Sequence, residues 1–523
     1  MNGTTGEPTS TETNKKQPTG EPTSTETNKK QPAGEPTSTE TNKKQPAGEP
    51  TKLRPGGVSS APPYESMLRS TMYERLRAQH PAEFEPASVF FTHDERSFID
   101  RRKSLRVKAA LVYEAVTGRH EDDDQMQSAK ILLLALAKKC HSKMHPETAV
   151  VHGGGRGTGT GIRSCVSLHL YSALHAAGET GGDAADETGW DDKMMRVLDG
   201  IFLVVGFLPK LNEAISSSNA DRDSVDQSFR SRHMLEMVAD VVKLENQLLW
   251  LQDLLDVAGH IEAVIKETVE QHDFRDVKKA MGREYKQEVT AQNLADVIHR
   301  FCWYYSPFAT KKPAPDSPFK DVVANKEMAA KRTLLDCLHM SVVKPSSHGK
   351  GGSGGIGRPS RMPTARDLWR SGVRLQASEN GRAEIEFAQP TLWLPALVYD
   401  FKLATVARNL LVLEYDEEQS KPITRYFQMM NEIVEDAADV RILRRAGVVR
   451  GGQEVHELIK NIDSRAMYPS VYMAMDREID KVREYHDKRM ASFFVRNRPG
   501  VIWASSVAAI SMAAVVASMR KRG

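Results

Sequence analysis

At 523 residues the chain is long enough for two or three average domains or for one large helical body. Its 72 basic and 69 acidic side chains leave a formal charge of only +3, which excludes a global electrostatic pull towards nucleic acid. Four scattered cysteines, Cys140, Cys165, Cys302 and Cys337, form no CxxC pair; this excludes a disulfide framework and points to reduced thiols.

Residues 5–18, 19–32 and 33–46 are near-identical fourteen-residue repeats of (T/A)GEPTSTETNKKQP. Each is rich in Thr and charge and lacks a large apolar side chain, so it cannot bury enough surface to offset chain entropy. Residues 1–62 are therefore expected to be a disordered tail. The opening MNGTTGEPTS has neither a basic start nor an apolar run, so no cleavable signal peptide is expected.

Residues 63–345 read as a helical N-terminal half. Helices are predicted over Arg101–Thr117 and Gln125–Met144, the second with an apolar run, Ile131 to Leu136, that leaves almost no polar face. The glycine-rich stretch 152–161 interrupts them as a flexible loop. Its His152-Gly153-Gly154-Gly155 string suggests an oxyanion hole, but the chain has no Gly-x-Ser-x-Gly elbow and no Gly-Lys-Ser/Thr after the loop. Cys140, His141, His145 and His152 lack the second ligand pair of a structural zinc site, and no metal or cofactor is expected. Further helices are predicted at Cys165–Ala177, Met194–Phe207, Ser224–Val242 and Leu244–Glu270. Another, capped by Thr290, stops at Tyr305 before Pro307. Residues 346–361 are a Gly/Ser linker.

The half that follows, 362–498, mixes periods. Val373, Leu375 and Ala377 alternate with polar residues, and so do Ile385 and Phe387. Asn380-Gly381 between them suits a tight turn, so a small antiparallel β-hairpin is predicted. Leu392 and Leu394 make a third extended piece, with Pro395 at a strand end or edge. Leu403, Val406, Leu410 and Leu413 then mark one helix, and Ile423, Phe427, Met430 and Ile433 a second after Pro422. Gly447 stands where a helix C-terminus takes a left-handed residue.

The polar residues that stand out on these apolar elements are Glu245, Asn246, Gln247, Asp400, Arg408, Asn409 and Glu414. They either line a pocket or satisfy buried backbone groups and one another. The second reading is the commoner use, because an unpaired buried polar atom costs about 1–3 kcal/mol. Asp400 and Glu414 have no nucleophile beside them in sequence, so no catalytic residue is assigned.

Residues 499–523 give the last signal. Val501 to Met519 is nineteen residues without a charge, preceded by Arg496 and Arg498 and followed by Arg520, Lys521 and Arg522. As a helix it would be roughly 28 Å long, near the hydrocarbon thickness of a bilayer, so a single transmembrane helix is predicted. Six alanines and four serines make it weakly hydrophobic. Without a signal peptide, the body is expected on the cytosolic side, with only the short tail crossing.

Three blocks carry a family resemblance. One is Met195-Arg-Val-Leu198-Asp199-Gly200-Ile-Phe202-Leu203, and a second is Leu244-Glu245-Asn246-Gln247-Leu248-Leu249-Trp250. The third runs through Pro363, Thr364, Ala365, Leu368, Gly372, Val373, Leu394, Pro395, Leu397, Asp400, Arg408, Asn409, Leu410, Glu414, Ile433, Asp439, Val440, Leu443 and Gly447. In order and spacing these resemble the plant "domain of unknown function 247" family, from about Tyr73 onwards. Leu249 stands in place of the family's usual proline, and the family's opening motif is only faintly echoed at Phe84–His93. The resemblance implies a membrane-anchored plant protein, at the plasma membrane, acting by recognition of a protein partner. An enzyme with a pocket near Asn246, Arg408 and Glu414, or a structural scaffold, is the alternative. The expected architecture is mainly α-helical with a small β-hairpin element, a disordered tail and one membrane helix.

Overall fold

A computed structural model describes residues 68, 70–91, 98–119, 125–146, 192–217, 222–229, 232–247, 249–282, 284–310, 317–343, 360–415, 421–450, 454–462 and 472–520. All of them belong to one compact unit, Ala61–Gly523. The repeat tail, the glycine-rich loop, the helix expected at Cys165–Ala177 and nearly all of the linker lie outside the described residues.

Helices dominate. In chain order they are α1 Thr71–Gln79, α2 Pro81–Phe84, α3 Phe98–Thr117, α4 Met126–Met144, α5 Asp192–Ile201, α6 Leu208–Ser217, α7 Arg222–Ser228 and α8 Arg232–Asp240. They continue with α9 Leu251–Val269, α10 Arg275–Ala280, α11 Leu294–Tyr305, α12 Lys320–Ala324, α13 Lys326–Ala329, α14 Leu334–Val342 and α15 Ala365–Arg370. The last are α16 Leu403–Leu413, α17 Pro422–Ile433, α18 Ala437–Arg445, α19 Glu454–Asn461 and α20 Ala474–Arg520. One continuous apolar core joins them, running from Met72 to Val482.

Between α5 and α6 the helix widens into a π-helical stretch, Phe202–Phe207, every residue of which is buried. Pro209 explains it. Proline offers no N–H to the carbonyl of Val205 and its ring crowds that carbonyl. The ladder shifts, and Leu208 donates to Leu203, five residues back. Gly200, just before, is fixed by packing: a Cβ there would stand 2.9 Å from Cγ2 of Val257 on α9.

The sequence predicts one long helix from Leu244, but the structure begins α9 at Leu251 and makes Leu244–Asn246 a 3-10 turn. Asn246 and Gln247 cause the difference. Their side-chain amides donate to the carbonyls of Asp240, Val241 and Lys243, which draws the chain into a turn. The helix predicted over Ser224–Val242 is likewise two helices, α7 and α8.

The expected hairpin is also corrected. Strands β1 Arg374–Ser378, β2 Glu386–Ala388 and β3 Thr391–Pro395 lie in the order β1-β3-β2, so β3 separates the two strands that were to pair. β1 runs parallel to β3, and β2 and β3 form the antiparallel pair, around a cis Gln389–Pro390 bond. Leu392 and Leu394 of β3 are fully buried, which gives them the stronger claim to the central position. Gly381 does adopt a positive φ of 72°, but Asn380 bridges to Thr310 of the preceding half instead of closing a hairpin. A second, two-stranded parallel sheet pairs β4 Leu397–Val398 with β5 Val449–Arg450. Gly447, with φ 74°, ends α18: its N–H bonds Arg444 and the next N–H bonds Leu443, satisfying the last carbonyls.

The transmembrane helix expected at the C-terminus finds no support in the structure. Val501–Met519 is helical, as part of the 47-residue α20, but among the described residues no helix is long and apolar enough to cross a membrane. The side chains of residues 493–509 and 513–517 of this helix lie outside the described ones.

Candidate functional site

The segment Glu85–Phe91 is neither helix nor strand, so its backbone must find partners elsewhere or be left unsatisfied. Asp240, at the C-terminal end of α8, supplies most of them. Its carboxylate accepts the N–H groups of Ala87 at 3.0 Å, Ser88 at 2.7 Å and Val89 at 2.9 Å. It also takes the Lys243 ammonium at 2.8 Å, and Lys243 donates onward to the carbonyl of Glu85. Asn246 completes the girdle: its amide oxygen accepts from Phe91 and its nitrogen donates to Val89 and Asp240. From the other side Lys108 of α3 donates to Phe90 and pairs with Asp199 of α5. Lys108, Asp199, Asp240, Lys243 and Asn246 are all buried.

The remaining signature residues spread over neighbouring joints. Glu245 accepts from the Tyr73 hydroxyl and pairs with Arg77 at 2.9 Å. Gln247 accepts the Leu335 N–H at the start of α14. On α16, Asn409 accepts the Leu244 N–H at 2.7 Å and donates to the carbonyls of Glu83 and Thr405. Arg408 pairs with Glu83 and donates to Asn461. Glu414, wholly buried, caps α17 from outside that helix. It accepts the N–H groups of Ile423 and Thr424, the Thr424 hydroxyl at 2.8 Å, and lies 3.0 Å from Nε2 of His339. An anion at a helix N-terminus complements the exposed N–H groups and the dipole. Asp400 lies at the other end of α16, whose 11 residues span roughly 16 Å at 1.5 Å per residue, too far to work with Glu414 as a carboxylate pair.

A charged cluster at that end is absent from the sequence reading. Lys402, 1% exposed, lies between Asp226 at 3.0 Å and Asp400 at 2.9 Å, with its ammonium over the rings of Tyr304 and Phe401. The Tyr304 hydroxyl donates to Asp226. Arg222 beside them donates to the carbonyls of Ser306 and Phe308 and stacks on Trp303. Burial raises the Asp226 carboxyl above its ordinary range, and Lys402 pulls it part of the way back. Burial likewise lowers the Arg222 guanidinium to about 10, against the pull of Asp400 and Asp226. Two cations and two carboxylates thus balance at the joint between α7, α11 and α16. The signal that could have found Lys402 is a single charge opening an apolar helix, which reads equally well as solvated.

Of the imagined zinc residues, His141 and His145 approach with ring centroids 4.9 Å apart, and His152 lies outside the described residues. Among the described residues no group of three or more His, Cys, Asp or Glu side chains could hold a metal ion. Cys140, Cys302 and Cys337 are free and buried, and burial pushes the Cys140 thiol up to about 12 and the other two well above their ordinary value. Because the thiolate is the reactive form, these three should resist Ellman's reagent at pH 8 in the native chain and react on unfolding. Rapid native labelling beyond the Cys165 equivalent would show that the helices around them open readily.

The family model for plant proteins of unknown function, DUF247, matches residues 185–518. The chain belongs to that family. The match covers the second and third signature blocks and the Asp199-Gly200 block, and begins well after Tyr73. A curated relative, a UPF0481 protein of Arabidopsis thaliana, is 28% identical over 136 residues, which are 24% of this chain and 26% of the relative. The chain thus spans about a quarter of the length of that relative. No solved structure matches.

Proposed function

We propose that this DUF247 protein is a non-enzymatic recognition protein whose body binds another protein and whose C-terminal helix holds it at a membrane, with the body on the cytosolic side. On this reading the signature polar residues serve the fold, each being engaged by the backbone or side chains of a neighbouring element. The observation that carries it is Trp369. Ala365 and Leu368 bury one side of α15, while the Trp369 side chain remains 66% exposed next to an exposed Arg370. Tryptophan and arginine are the side chains most often found as interface anchors.

Affinity capture from a detergent extract, with wild type and Trp369→Ser side by side, tests this. A partner retained by the wild type and weakened by at least about 2 kcal/mol in a variant of unchanged melting supports recognition. The same partners on both would remove Trp369 from the interface. A co-purifying metabolite in place of a protein would favour the enzyme.

A further inference from the structure

The helix α20 has a clamped base, and beyond it nearly all of its described side chains are exposed. In the base, Met475, Ile479 and Val482 are buried, the Phe387 N–H donates to Glu478, and Tyr485 meets Phe387 edge-on with centroids 5.6 Å apart. From Asp487 to Ser492 the helix is exposed except for a half-buried Met490. Further along, Ile510, Met512 and Met519 are 69–71% exposed. These described side chains of the uncharged stretch are therefore not packed in the core of this body.

Charge changes at the same place. Up to Asp487 acids and bases are interleaved, with Arg483–Asp487 and Lys488–Glu484 pairing along the helix. From Lys488 to Gly523 the sequence holds Lys488, Arg489, Arg496, Arg498, Arg520, Lys521 and Arg522 and no Asp or Glu. The Lys488 side chain is 73% exposed despite its ion pair, and Arg489 lies over the Tyr485 ring. A second copy of the helix in parallel register would set like charges side by side. An anionic surface would meet a matching one, and basic residues next to an apolar helix are drawn to acidic headgroups.

We propose that the surface covering this helix is an anionic phospholipid bilayer, read by the basic collar Lys488, Arg489, Arg496 and Arg498. This rests on the membrane reading above and adds the lipid class. The test is flotation of the full chain with vesicles of phosphatidylcholine alone or of phosphatidylcholine and phosphatidylserine at about 3:1, where partitioning should be about tenfold higher on the anionic vesicles at low salt. Raising the salt to about 0.5 M should shrink the preference, because screening shortens the range of the attraction. Replacing all four collar residues with glutamine should abolish the preference and leave binding to neutral vesicles in place. Equal partitioning of the wild type on both vesicles overturns the lipid-class inference and leaves the membrane reading standing. No partitioning onto either overturns both.

Discussion

Asp240→Ala is expected to destabilise the protein by about 4 kcal/mol, more than a surface carboxylate could. Asp240 is fully buried and carries three backbone N–H groups and the Lys243 ammonium on one side chain. Its removal strands a buried cation and leaves the Ala87–Val89 amides without acceptors, each of which costs about 1–3 kcal/mol if water cannot reach it. Pairing the change with Lys243→Met should recover part of the loss, since the stranded charge goes but the amides remain unpaired. Chemical denaturation of the single and double variants measures both effects. An Asp240→Ala midpoint within about 1 kcal/mol of wild type would mean that Glu85–Phe91 is hydrated, and that the girdle does not organise the body.

The girdle also shows where sequence reasoning stops. Asn246 and Gln247 stand out because amides in an apolar run need a reason, and satisfying buried backbone is a reason available without a structure. Asp240 does not stand out. It looks like the wet edge of an amphipathic helix, and the amides that claim it lie about 150 residues earlier, in a segment with no periodicity to read. The same distance effect hides Lys108–Asp199 and Asp226–Lys402, each of which joins two helices remote in sequence.

Local signals fared better. The helix ends at Pro307 and Gly447 and the bounds of α16 and α17 follow from apolar spacing and cap residues alone. Strand pairing did not, because alternation identifies a strand without naming its neighbour. The choice between β1-β2 and β2-β3 depended on which strand the helices buried deepest, a tertiary fact. Arg408, Asn409 and Glu414 were legible as polar residues of one helix, but not as parts of two joints. Arg408 and Asn409 hold α2 and the Leu244 turn, whereas Glu414 caps α17.

Arg425→Met should produce the second large effect, a loss of about 3–5 kcal/mol together with loosening of the base of α20. Arg425 is 1% exposed on α17, and its Nε donates to Asp476 at 2.7 Å, in the first turn of α20. Another of its nitrogens donates to the carbonyl of Ser360, and a third lies 3.5 Å from Glu432, whose carboxylate accepts the Met362 N–H. One guanidinium thus joins the start of the signature half to the helix that leaves the body. Without it Asp476, wholly buried, keeps only the Met473 N–H as a donor among the described residues. Replacing the whole pair, Arg425→Met with Asp476→Leu, should return stability to within about 1–2 kcal/mol of wild type, because packed apolar side chains commonly substitute for a buried ion pair. A double-mutant cycle on denaturation midpoints reads the coupling, and limited proteolysis near residue 472 reads the loosening. Single changes that simply add would show that the two side chains do not depend on each other. The attitude of α20 to the body, and so of the body to whatever surface α20 enters, would then be set by the packing of Met475, Ile479, Val482 and Tyr485 and by the Phe387–Glu478 hydrogen bond.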